Sequence, residues 1–160
     1  MKKKIILKIS EGLGNQFFMY ANAYSLMKKN NLELLIDRYS GYYNKKTVYN
    51  FILDNFNISA KYATSKYTFD NPYKNILKKF YFFFDRFSNR KKFIFEKKDI
   101  NKSTYYSQLD LKNTNNFFFL DGNFETEKYF SDYREDLLNE FSIKNETQFL
   151  DNEYLNIIKN

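Results

Sequence analysis

Residues 4–37 limit the possible folds more than any other stretch of this chain. Lys4-Ile5-Ile6-Leu7-Lys8-Ile9 is short, apolar, β-branched and flanked by charge, which predicts a buried parallel strand over residues 4–9. Phe17, Tyr20, Ala21, Tyr24 and Met27 recur at helical spacing, so a helix is expected over residues 15–29, stopped by Asn30-Asn31. Leu32-Glu33-Leu34-Leu35-Ile36-Asp37 reads as a second strand. Strand, helix, strand at this spacing is a βαβ unit with a right-handed crossover, and it puts the chain in the α/β class.

Between the first strand and the helix stands Gly12-Leu13-Gly14-Asn15-Gln16-Phe17-Phe18. Glycines let backbone turn sharply and approach a ligand closely. The amides that open a helix point outward and suit an anion or a sugar oxygen. Asn15 and Gln16 add neutral groups that both donate and accept hydrogen bonds. This set suits a sugar or a nucleotide sugar; a plain tight turn is the other reading of the same residues. Two familiar alternatives fail on residues. A dinucleotide fingerprint needs a third glycine where Phe17 stands, and a phosphate-binding P-loop needs Gly-Lys-Ser/Thr. Asp37 closes the second strand at the carboxyl edge, where α/β proteins bind ligands, and it reads equally well as a capping aspartate.

Further along, Tyr49 to Ile58 mixes apolar and turn residues, and a short extended segment followed by a loop is expected. A helix is expected near residues 73–87, a short strand at 93–95, and a third buried strand at Phe117-Phe118-Phe119-Leu120. Asp121-Gly122 ends that strand. A helix is then expected from Thr126 to Glu140, with Phe130, Tyr133, Leu137 and Phe141 on one face, and another over residues 147–159. Asp121 and Glu125 sit at this strand-to-helix junction. Acids there suit the helix dipole, which leaves Gly122 and Phe124 unexplained. No internal repeat or flexible linker divides the 160 residues, so a single domain is expected.

The chain has no cysteine and no histidine. Disulfides, thiolate metal sites and thiol nucleophiles are excluded, and so are the commonest metal ligand and general base. Chemistry must rest on carboxylates, tyrosines, amides or groups outside this chain, with no metal site expected. The net charge of +7 suits phosphate, anionic membrane or nucleic acid without choosing among them. Met1-Lys2-Lys3-Lys4 resembles the start of a signal peptide, but the apolar run that follows is too short, and a cytoplasmic chain is expected. The basic, aromatic stretch at residues 74–98 reads as a helix packed on its own protein. Its other readings are a peripheral contact with anionic membrane and, last, a base-stacking surface. No nucleic-acid motif accompanies it, so no nucleic-acid partner is expected.

With these segments in place, the chain resembles the α-1,2-fucosyltransferases of glycosyltransferase family 11. Their amino-terminal pattern is Gly-Gly-Leu-Gly-Asn-Gln-Met/Phe-Phe-Gln-Tyr-Ala after a strand. Here it reads Glu11-Gly12-Leu13-Gly14-Asn15-Gln16-Phe17-Phe18-Met19-Tyr20-Ala21, departing clearly at Glu11 and Met19. The family's acid after the second strand matches Asp37, and its Leu-x-x-Phe-Asn-Ile matches Leu53 to Ile58. Its Leu-x-Gly-Tyr-Trp/Phe-Gln-Ser-Glu-Lys-Tyr-Phe matches Leu120 to Phe130, with Asn123, Glu125 and Thr126 substituted.

The resemblance implies inverting transfer of L-fucose from GDP-fucose to a galactoside 2-OH in surface glycan synthesis, without a bound metal or cofactor. It implies a Rossmann-like parallel sheet with flanking helices, as the N-terminal lobe of a GT-B-like enzyme. It assigns donor binding to Gly12, Gly14, Asn15 and Gln16. The general base is open: Asp37, Asp121 and Glu125 are candidates by position only. The family's His-x-Arg-Arg-Gly-Asp motif, whose arginine is expected to neutralise the departing diphosphate, is absent from this chain. The chain is therefore expected to be an incomplete lobe, inactive or weak alone, that needs a complementing C-terminal half. A non-catalytic nucleotide-sugar-binding lobe is the alternative.

Overall fold

The computed structural model describes residues 2–43, 48–96, 109 and 111–144. Five strands form one parallel sheet: β1 (Lys4–Lys8), β2 (Glu33–Asp37), β3 (Lys61–Tyr62), β4 (Lys91–Phe95) and β5 (Thr114–Asp121), in the order β3-β2-β1-β5-β4. Helices α1 (Leu13–Asn30), α2 (Pro72–Asp85) and α3 (Arg134–Glu140) flank it. This is the α/β, Rossmann-like arrangement expected from the opening βαβ unit.

Side-chain alternation divides the central strands between two cores. Ile5 and Leu7, Leu34 and Ile36, and Phe118 and Leu120 face one way, into a larger core built with Met19, Tyr20, Ala23 and Tyr24 of α1 and Leu137 of α3. Ile6, Leu35 and Phe119 face the other way, onto Ala63, Phe69 and Phe93, with Phe82 of α2 laid against them. Because α1 and α3 cover one face and α2 the other, β1 and β5 are buried on both sides. That explains why they read as continuous apolar runs rather than alternating ones.

Helix α1 ends at Asn31, whose left-handed conformation (φ 51°) is one asparagine tolerates. The Tyr20 hydroxyl of α1 donates to Glu140 Oε2 at 2.5 Å, and the Ser59 amide donates to the same oxygen at 2.6 Å. Burial, followed by this carboxylate, pushes the Tyr20 phenol well above its ordinary pKa, so it stays a donor. The bond ties α1, the segment before β3 and α3 together at one buried point.

Two expectations need correction, and one strand was not expected at all. Residues 49–58 form a 3-10 turn at Leu53–Asn55, and Phe56 then pairs with Ile143 in an antiparallel bridge. Strand β3 carries no sequence signal, because both its residues are exposed at the sheet edge. The helix expected from Thr126 to Glu140 survives only as α3; residues 127–133 are two 3-10 turns. The chain kinks at Phe130 (φ −142°), so that Tyr129 meets Phe124 edge-on at 5.3 Å while Phe130 reaches Phe18 of α1 at 6.0 Å. The helix expected over 147–159 lies outside the described residues.

Candidate functional site

In a parallel sheet every strand ends at the same edge, so the segments after β1, β2, β4 and β5 gather at the carboxyl edge. All the candidate residues named from the sequence lie in or beside these segments.

The β1–α1 turn is made differently from the sequence expectation. Gly12 caps α1 in extended backbone (φ −79°), and no glycine in the described residues has a positive φ. The left-handed residue is Glu11 (φ 65°), where the resembled family carries glycine. That conformation costs about 1–2 kcal/mol for a residue with a Cβ. It is held by the Glu11 carbonyl, which accepts from Gln16 Nε2 at 3.0 Å and from the Tyr42 hydroxyl at 3.3 Å.

Gln16 is fully buried, and each end of its amide is used. Nε2 also donates to the Asn50 carbonyl at 2.7 Å, and Oε1 accepts from the Ile52 amide at 3.0 Å. Gln16 therefore stitches the turn to residues 50–52 and presents nothing outward. Gly12, Gly14 and Asn15 remain on the outside. A Cβ on Gly12 would rest 3.4 Å from the Tyr49 ring, and one on Gly14 would meet nothing within 4 Å. Neither glycine is demanded by packing or by backbone geometry. Asn15 is half-buried, and its side-chain amide makes no hydrogen bond within the described residues. Helix α1 opens with no side-chain cap and no acid in its first turn, so its first amides keep their partial positive charge.

The carboxylates lie elsewhere. On the α2 side of the sheet, the register places Asp37 beside Lys8, and Asp121 follows the Leu120 that pairs with Leu7. Lys8 Nζ bridges Asp121 Oδ2 at 2.5 Å. Asp37 is buried, and its Oδ1 accepts from the Tyr39 and Ser40 amides at 3.1 and 3.0 Å. Burial raises its pKa, while the bonds from Ser40 and Tyr39 oppose the rise. It is a buried turn-capping group. Lys78 of α2 completes this row. Burial and then the Lys8 charge hold its ammonium below the usual lysine range, while Asp121 and Asp37 pull the other way. Lys8 and Lys78 carry no readable sequence signal, since a lysine at a strand end or on a helix usually signals solvent.

Glu125 is exposed and accepts from Asn123 Nδ2 at 3.0 Å, apart from the row. The acid that organises this junction is Glu96, which the sequence reading did not single out. Its Oε2 accepts the Asn123 and Phe124 amides, both at 2.9 Å, holding Phe124 left-handed (φ 54°) and fully buried. Gly122 is required here: a Cβ would stand 2.5 Å from Glu96 Cβ and 2.8 Å from Phe124 Cζ. The structure thus brings Gly12, Gly14 and Asn15 together on one surface, sets Gln16 behind them, and places Asp37 and Asp121 in a separate charged row. A shallow hollow between Met27, Glu33 and Lys61 lies at the opposite, amino edge of the strands.

Comparison of the chain with family models, curated proteins and solved structures finds no match.

Proposed function

We propose that this chain is the nucleotide-sugar-binding lobe of a fucosyltransferase-like protein. In this reading it takes GDP-fucose at the β1–α1 turn, for inverting transfer to a galactoside 2-OH. The observation that carries the reading is the turn itself. Gly14 opens onto empty space, the Asn15 amide has no partner among the described residues, and the uncapped start of α1 stands beside both, at the carboxyl edge of a parallel sheet. Uncapped first-turn amides suit a diphosphate, and a neutral amide side chain suits a hydroxyl. The agreement of residues 11–21 with the family pattern supports the same assignment.

Gln16 takes a revised role here: it positions the turn and does not touch the donor. The base also stays unassigned on these residues. Asp37 is enclosed, Asp121 is paired with Lys8, and Glu125 is exposed beside Asn123. The chain contains no Arg-Arg-Gly-Asp, the family pattern whose arginine would meet the charge growing on the departing GDP. Binding without efficient transfer is the expected behaviour of the chain alone. Transfer of radiolabelled fucose, measured with and without a complementing C-terminal half, tests the reading. The chain alone should give little turnover and the pair substantial turnover. Within the complemented pair, Asn15→Ala should lower transfer by about tenfold, the scale of one lost hydrogen bond to a donor hydroxyl. An unchanged rate in that variant removes the turn from the site.

A further inference from the structure

Helix α2 is amphipathic with its apolar face outward. Tyr73, Ile76, Phe80, Phe84 and Phe87 follow one another at spacings of three and four residues, and Phe83 lies three after Phe80 and four before Phe87, so all six share one side of the helix and the turn after it. All six are exposed, Phe84 to 63% and Phe87 to 77%, and no residue of α2 is fully buried. The inward side is the polar one. Lys74 Nζ bonds Asp70 at 2.8 Å and the Ser65 carbonyl at 2.7 Å, Asn75 Nδ2 bonds the Phe69 carbonyl at 3.0 Å, and Asp85 accepts the Lys92 amide at 2.6 Å. Phe82 is the apolar side chain of α2 that packs on the sheet among the described residues, stacked on Phe93 at 4.1 Å, with half-buried Lys78 beside it over the Phe69 ring. A soluble surface helix turns its apolar stripe inward, and a contiguous exposed apolar patch marks an interaction surface.

The charge around the face identifies its occupant. Lys79 and Arg86, seven residues apart, line one rim of the apolar stripe, and both are exposed; exposed Arg90 follows in the turn into β4. The carboxylates of α2 and of the residue after β4 are turned away: Asp85 is bound to the backbone of β4, and Glu96 holds the Asn123 and Phe124 amides. Tyr73 and Tyr81 add rings with a polar tip, and the Lys92 ammonium lies 3.9 Å from the Tyr81 ring centroid. An apolar stripe lined on one rim by cations, flanked by tyrosines and with no exposed acid among the described residues of α2 and the turn after it, complements a layer that is apolar inside and negative at its surface. A second copy of the same face would instead bring Lys79 and Arg86 towards like charges. No described helix is long and apolar enough to cross a membrane, so this helix would lie in the interface and not span it.

We propose that α2 and the turn after it dock flat on an anionic lipid bilayer, with Phe80, Phe83, Phe84 and Phe87 inserted below the headgroups and Lys79, Arg86 and Arg90 among the phosphates. The inference stands apart from the donor-binding reading, because its residues lie on a different element and share no side chain with the β1–α1 turn.

Co-sedimentation of the purified chain with vesicles tests it, using phosphatidylcholine alone and phosphatidylcholine with 30% phosphatidylglycerol. The chain should bind the anionic vesicles at least tenfold more tightly, and raised salt should weaken binding. Phe80→Ser with Phe84→Ser should lower binding at least tenfold, and so should Lys79→Glu with Arg86→Glu, which alters only exposed side chains and should leave the circular dichroism spectrum unchanged. Equal binding to both vesicle types, or none to either, overturns the proposal. So does a dimer in sedimentation equilibrium that Phe84→Ser dissociates, which would assign the face to a second copy.

Discussion

Gln16→Ala is expected to destabilise the chain by about 3–4 kcal/mol, seen as a lower urea midpoint with an unchanged slope. The size follows from what the amide holds. Its loss strips the buried turn of three hydrogen bonds at once, to the Glu11 carbonyl, the Asn50 carbonyl and the Ile52 amide. Glu11 keeps a bond from Tyr42, while Asn50 and Ile52 lose the hydrogen bonds that join them to α1. A buried polar group left without its partner costs about 1–3 kcal/mol, and the vacated volume adds to that. Gln16→Glu should be at least as damaging, because a carboxylate would face two carbonyl oxygens with no donor between them. A midpoint within experimental error of the parent would mean that Gln16 is not the stitch described here.

Gly41→Ala should cost a comparable amount, about 3 kcal/mol at the least and with local rearrangement at the carboxyl edge. A Cβ on Gly41 would overlap the Ile9 carbonyl oxygen and lie 2.7 Å from its carbonyl carbon and 2.8 Å from Ser10 Cβ. The obstacle is mainly backbone, so no rotamer change relieves it. The segment after β2 must pass this close because Asp37 folds it back: the carboxylate takes the Tyr39 and Ser40 amides, and Ser40 Oγ accepts from the Phe69 amide at 2.5 Å. Thermal unfolding measures the effect, since about 3 kcal/mol corresponds to roughly 6–12 °C in a domain of this size. An unshifted transition would contradict the packing at β1 and β2.

The elements legible in the sequence are those whose burial leaves a pattern. β1, β2 and the apolar heart of β5 are covered on both faces, so they appear as unbroken apolar runs. α1 shows its period because Tyr20, Tyr24 and their neighbours all meet the sheet. What escaped has physical causes of the opposite kind. β3 is two exposed residues paired on one side. The segment at 127–133 has helical aromatic spacing, but adjacent Tyr129 and Phe130 reach different partners, which no periodic count reveals. Glu11 takes the left-handed turn without belonging to the residue types that favour it, and the bonds its carbonyl accepts from Gln16 and Tyr42 help keep it there. At the candidate site, the sequence located the turn correctly at a carboxyl edge but did not separate Gln16 from Asn15. Both are amides one residue apart, and the helix turns one inward and the other outward.

The account rests on Gly14 and Asn15 being a surface that receives a nucleotide sugar, and backbone amide chemical shifts during titration with GDP-fucose read that surface directly. The account predicts that the Leu13, Gly14 and Asn15 amides shift together and saturate, while Glu33 and Lys61 at the amino edge stay still. Saturating shifts at the amino edge with a silent β1–α1 turn, or no shift anywhere at millimolar donor, would contradict it.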